Sequence, residues 1–148
     1  MKMMRILYGS DFHGADVVFR KFIGSGLQYK ANALVVGGDV TGKAMIPVIH
    51  QGSGRYIASL FGGDQITTTP DELEKVKKSI SNVGFYPIVL EKDEAEELEN
   101  DPARMSVRFE HEMCQRVREW MMLAEEKLVP QNIEMYFMAG NDDLATAR

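Results

Sequence analysis

Cysteine is nearly absent from this sequence: Cys114 stands alone among 148 residues. A single thiol excludes an internal disulfide framework, and with no C-x-x-C pair there is nothing to hold a structural zinc, so a reducing cytoplasm is the expected setting. Long apolar runs are missing too. The N-terminal MKMMRILYG places one Lys and one Arg ahead of a very short apolar run, with charged residues following at once. It is expected to be a first strand, neither a signal peptide nor a membrane span. Positive charge is in the minority: 17 Lys and Arg against 22 Asp and Glu leave a formal −5, which argues against a nucleic-acid-binding surface. Neither the P-loop spacing nor G-x-G-x-x-G occurs, so no nucleotide-binding module is expected.

What is present is 45% apolar content, enough at this length for a single globular domain with a sizeable core. Three short apolar runs share one design, each ending in glycine with a metal-capable side chain close behind: MRILYGSD to Asp11, ALVVGGD to Asp39 and IEMYFMAGND to Asp142. Runs of this kind suit strands buried on both faces. Between the first two, Val18, Phe19, Phe22, Ile23 and Leu27 recur at helical spacing, which predicts strand, helix, strand with a parallel pair. The carboxyl ends of such strands share one crevice, so Asp11, Asp39 and Asn141 are expected to converge.

After Asp39, AMIPVIHQ and RYIASLFGG flank a Gly-Ser-Gly turn and read as a hairpin. Thr69-Pro70-Asp71-Glu72 is a capping-box signature for a helix ending near Gly84. FYPIVL is a further strand that Pro87 confines to an edge. EKDEAEELENDP reads as a solvated acidic helix or loop, and Met105 to Leu128 keep one apolar face of a long helix. The expected organisation is one α/β domain with a core of 1–61 and 130–148 and an inserted, mainly helical subdomain over about 62–129. Met113, Trp120, Met121 and Met122 on that segment line either a cap over the crevice or simply the core.

The chemistry concentrates at the strand exits. Asp11 and His13, two apart in GSDFHG, can present an oxygen and a nitrogen to one ion, a mixed set suited to zinc, manganese or iron; a capped turn explains the same pair. Asp39 in GGDV is placed to bridge two ions about 3.5–4 Å apart, or else to cap a helix. Asn141 offers a neutral oxygen. Any one of these loops has a structural explanation; the ordered set of three is harder to explain so.

That ordered set, Asp11-x-His13, Gly38-Asp39 and Gly140-Asn141, resembles the first three motifs of the calcineurin-like metallophosphoesterases: D-x-H, then G-D, then G-N-H followed by an acid. The resemblance covers about 5–43 and 133–143. It implies the first half of a β-sandwich flanked by helices, and a dinuclear centre of two divalent ions (Mn, Fe, Zn or Ni) hydrolysing small-molecule phosphomonoesters or phosphodiesters. By this analogy Asp11 and His13 hold one ion, Asp39 bridges and Asn141 holds the other. The family's leaving-group histidine is here Asp142, which at its ordinary pKa is a poor proton donor unless burial or Asp143 raises it. His50 and His111, the remaining histidines, sit in contexts that favour structural or surface roles. The family's later histidine motifs are not in this sequence, so a truncated site is expected. The alternative is a non-catalytic remnant, an interaction module that keeps the half-fold and self-associates as a homo-oligomer.

Overall fold

The computed structural model describes residues 3–60 and 62–143, so the last five residues of the closing AGNDDLATAR lie outside the described residues. It is a mixed α/β fold with two sheets and four helices. The first sheet holds β1 (Ile6–Gly9), β2 (Ala33–Val36) and β7 (Glu134–Phe137) in the order β1-β2-β7, parallel throughout. Helix α1 (Asp16–Gln28) makes the β1–β2 crossover. The second sheet, in the order β5-β4-β3-β6, combines the expected hairpin of β3 (Met45–His50) and β4 (Tyr56–Leu60) with β5 (Gly63–Thr67) and β6 (Tyr86–Leu90). Strand β6 pairs with β3 in parallel and lies at the edge, where Pro87 withholds no ladder hydrogen from the sheet interior.

Helix α2 (Pro70–Asn82) starts as its sequence requires. The Thr69 hydroxyl accepts from Glu72 N at 3.3 Å, and Glu72 Oε2 accepts from Thr69 N at 3.2 Å. Because these bonds satisfy otherwise orphaned first-turn donors, Thr69→Ala is expected to cost about 1 kcal/mol in urea unfolding. Helix α3 (Lys92–Glu99) carries the acidic stretch and α4 (Pro102–Leu128) the long amphipathic one.

Leu7, Leu34, Val36 and Phe137 face α1 and α4 in one core, where the Phe19 and Trp120 rings stack at 4.2 Å and Trp120 Nε1 donates to Asp16 Oδ1 at 2.9 Å. Helices α1 and α4 therefore cover this face of the sheet. Among the described residues, nothing covers the first sheet's opposite face. Ile6 and Tyr8 on β1 and Tyr136 on β7 are half or more exposed. Of the three strands expected to be buried on both faces, the central β2 comes nearest, with Val35 half-buried, while β1 and β7 alternate.

Segment 62–129 shares these cores. Its β5 and β6 complete the sheet begun by β3 and β4, α2 packs Ile80 against Val48, Ala58 and Leu60, and α4 supplies Trp120, Ala124 and Leu128 beneath the first sheet. The methionine stripe divides accordingly: Met113 and Trp120 are buried, while Met121 and Met122 face solvent. Among the described residues, no helix is long and apolar enough to cross a membrane.

Candidate metal centre

Parallel pairing of β1, β2 and β7 brings their three carboxyl ends side by side. The first two exits continue the ladder as loops: Asp11 N donates to Gly38 O at 3.1 Å, His13 N to Asp39 O at 3.0 Å and Gly14 N to Val40 O at 2.8 Å. The third is pressed against the second. A Cβ on Gly140 would stand 2.0 Å from Asp39 Oδ1, so only glycine allows this approach. Asp142 N then donates to that same Asp39 oxygen at 3.0 Å.

The outcome is a group formed by Asp11, His13 and Asp39, with one ligand atom from each lying within 4.8 Å of the others. Two atoms bound to one ion at about 2.1 Å lie no more than ~4.2 Å apart, so the group needs only a small inward rotation. Asp11, its side chain 64% exposed, is free to make it. His13 Nε2 is 3.8 Å from Asp11 Oδ1, and its Nδ1 is buried with no hydrogen-bond partner among the described residues. A buried ring nitrogen without a partner calls for an explanation, and an ion or a water is what commonly supplies it.

All three residues also have left-handed backbones: φ is 59° at Asp11, 44° at His13 and 51° at Asp39. Such a conformation costs a non-glycine residue on the order of 1 kcal/mol. Here it accompanies the approach of three side chains able to ligate an ion. Asn141 precedes Asp142 in the turn bonded to Asp39, and its Nδ2 donates to Asp142 Oδ1 at 2.9 Å, which leaves the amide oxygen as the end that could take an ion. The donor set of carboxylate, imidazole and amide oxygen fits a first-row divalent ion.

Asp142 does not acquire the raised pKa that proton donation would need. Lys43 Nζ pairs with its Oδ2 at 2.8 Å, and that hydrogen bond and charge hold the carboxyl below its ordinary range despite Asp143 nearby. It is a carboxylate at neutral pH. The other histidines are elsewhere: His50 Nδ1 lies 3.0 Å from both Glu91 carboxylate oxygens, and His111 is exposed on α4.

Further residues hold the site: Asp143, the acid that closes the third motif, and two from outside the motifs. Asp143, 4% exposed, accepts at Oδ1 from Val40 N, Thr41 N and Thr41 Oγ1, each at 2.9 Å, and at Oδ2 from Gly140 N at 2.8 Å. Burial pushes its pKa up, but the donors of Gly140, Thr41 and Val40 outweigh burial and the carboxyl titrates below the usual range. From 62–129 come two braces. Arg116, buried on α4, donates from Nη1 to Gly14 O at 2.8 Å, and the Tyr86 hydroxyl accepts from Gly42 N at 2.6 Å. Gly42 packs so closely on this segment that a Cβ there would stand 2.0 Å from Gly84 O.

Comparison with protein-family models, with curated proteins and with solved structures finds no match for this chain.

Proposed function

We propose that the chain is a metal-dependent phosphoester hydrolase of the calcineurin-like metallophosphoesterase type. The observation that carries this reading is the convergence of Asp11, His13 and Asp39, with the Asn141–Asp142 turn hydrogen-bonded to Asp39, at the ends of three parallel strands. Asp11 and His13 would hold one divalent ion, Asp39 would be shared, and Asn141 would hold the second. When bound, such a pair supplies Lewis acidity at the phosphoryl group and a nucleophile at neutral pH. The chain's own residues fix the ligand directions through strained loops and keep Asp142 ionised against Lys43. The substrate is a small phosphoester.

The test exchanges the protein against Mn2+, counts bound metal by mass spectrometry, and assays p-nitrophenyl phosphate and bis(p-nitrophenyl) phosphate. Turnover should require the metal and vanish on chelation. A chain that binds Mn2+, Fe2+, Zn2+ or Ni2+ yet hydrolyses neither ester would overturn the catalytic reading.

A second reading, a non-catalytic module that self-associates, is favoured by the open face bearing Ile6, Tyr8, Tyr136 and Met138. An apolar sheet face of that kind marks an interaction surface. Sedimentation equilibrium decides it: a strictly monomeric chain removes this alternative.

A further inference from the structure

The loop that carries Asp39 does not end its work at the carboxylate. Each residue after it is pinned: Val40 and Thr41 by Asp143, Gly42 by the Tyr86 hydroxyl, so Lys43 leaves a backbone fixed at every preceding position. Its ammonium is delivered to Asp142 Oδ2 at 2.8 Å. Asp142 in turn holds Asn141 through Oδ1 and Asp39 through its own N–H. The cation therefore sits one residue from a candidate ligand and shares a carboxylate with it.

We infer that Lys43 is a substrate-binding residue that takes a non-bridging oxygen of the phosphoryl group and makes this site prefer phosphomonoester dianions over phosphodiester monoanions. An ammonium has three donors. Asp142 uses one, and the Lys43 side chain, 63% exposed, keeps the others open to an incoming anion. The pair also settles a charge problem. An unopposed Asp142 at the mouth would repel any phosphate, whereas paired with Lys43 it becomes neutral and merely aims the ammonium. Two divalent ions held by Asp11 and Asp39 would carry more positive charge than those carboxylates cancel, and Lys43 would supply a further directed donor. A dianion with three terminal oxygens can use both; a diester, with two oxygens esterified and one charge, has less to offer.

This inference rests on the metal-centre reading, and the experiment separates the two. Mn2+ binding is measured first by calorimetry for wild type, Lys43→Met and Lys43→Arg. Inorganic phosphate and dimethyl phosphate are then titrated into each Mn2+-loaded protein at pH 8. Expected are equal Mn2+ affinity in all three, wild type favouring phosphate over dimethyl phosphate, phosphate binding weakened about tenfold in Lys43→Met and largely kept in Lys43→Arg. Dimethyl phosphate should change by less than about threefold. Unchanged phosphate affinity in a Lys43→Met protein that binds Mn2+ normally overturns this inference alone, as does loss of Mn2+ binding confined to that variant. Wild type that takes no Mn2+ or other first-row ion overturns the metal-centre reading and this inference with it.

Discussion

Asp39→Asn is expected to weaken Mn2+ binding by at least about a hundredfold, the upper end of what outer-shell changes cost and about 2.7 kcal/mol of binding energy. The substitution is close to isosteric, and asparagine is among the residues that best tolerate the left-handed backbone found at φ 51°. Its side-chain oxygen can still accept from Asp142 N, as Asp39 Oδ1 does at 3.0 Å. What it loses is the negative charge that two ions would share. The metal-free variant should therefore keep its circular dichroism spectrum and melt no lower than wild type, because Asp39 stands close to Asp11 and their mutual repulsion is relieved. The rise in melting temperature on adding Mn2+ should disappear. Calorimetry showing wild-type affinity in the variant would sink the placement of Asp39 at the centre of the site.

The convergence of these loops was legible because each lies on a strand exit whose punctuation is local: an apolar run, glycine, then Asp11, Asp39 or Asn141. Parallel pairing does the rest, since exits of neighbouring parallel strands must share an edge. The braces are another matter. Arg116 lies on the buried side of α4 between Met113 and Trp120, where periodicity alone marks it as a polar interruption; the carbonyl of Gly14 and the hydroxyl of Ser81, both remote in sequence, explain its burial. Tyr86 looks like an ordinary strand aromatic until its hydroxyl meets Gly42 N. Burial of β1 and β7 was overread for a related reason. An apolar run reports that a face can be covered, and Ile6 and Tyr8 meet no covering element among the described residues. The boundary near residue 62 fell between β4 and β5, which are antiparallel partners, because a change of composition there accompanies no change of sheet.

Asp143 carries the largest expected effect on stability. Its carboxylate gathers four donors from two loops remote in sequence: the backbone N–H groups of Val40, Thr41 and Gly140, and the Thr41 hydroxyl. Asp143→Ala leaves these donors without that acceptor in a site only 4% exposed. At about 1–3 kcal/mol for a buried group left unsatisfied, and with partial relief from entering water, a loss of about 3 kcal/mol or more is expected in urea unfolding at pH 7. Asp143→Asn should fall between the two proteins. It keeps one acceptor oxygen for Val40 and Thr41 but turns an amino group toward Gly140 N–H, setting donor against donor. The pH dependence has a definite sign. The folded-state pKa lies below the ordinary value, so folding favours the ionised form. The stabilisation is full above the unfolded pKa of about 3.9 and is lost as pH falls through the lower folded value. The stability difference between wild type and Asp143→Asn, followed from pH 7 to pH 3, should therefore stay level down to about pH 4 and shrink below it. Subtracting the variant removes the contribution of Asp16, whose carboxyl is also held low: burial raises it, but Arg20 and Trp120 outweigh that. A difference that grows on acidification, or an Asp143→Ala protein within about 0.5 kcal/mol of wild type, would mean that the two loops are held by something other than this carboxylate.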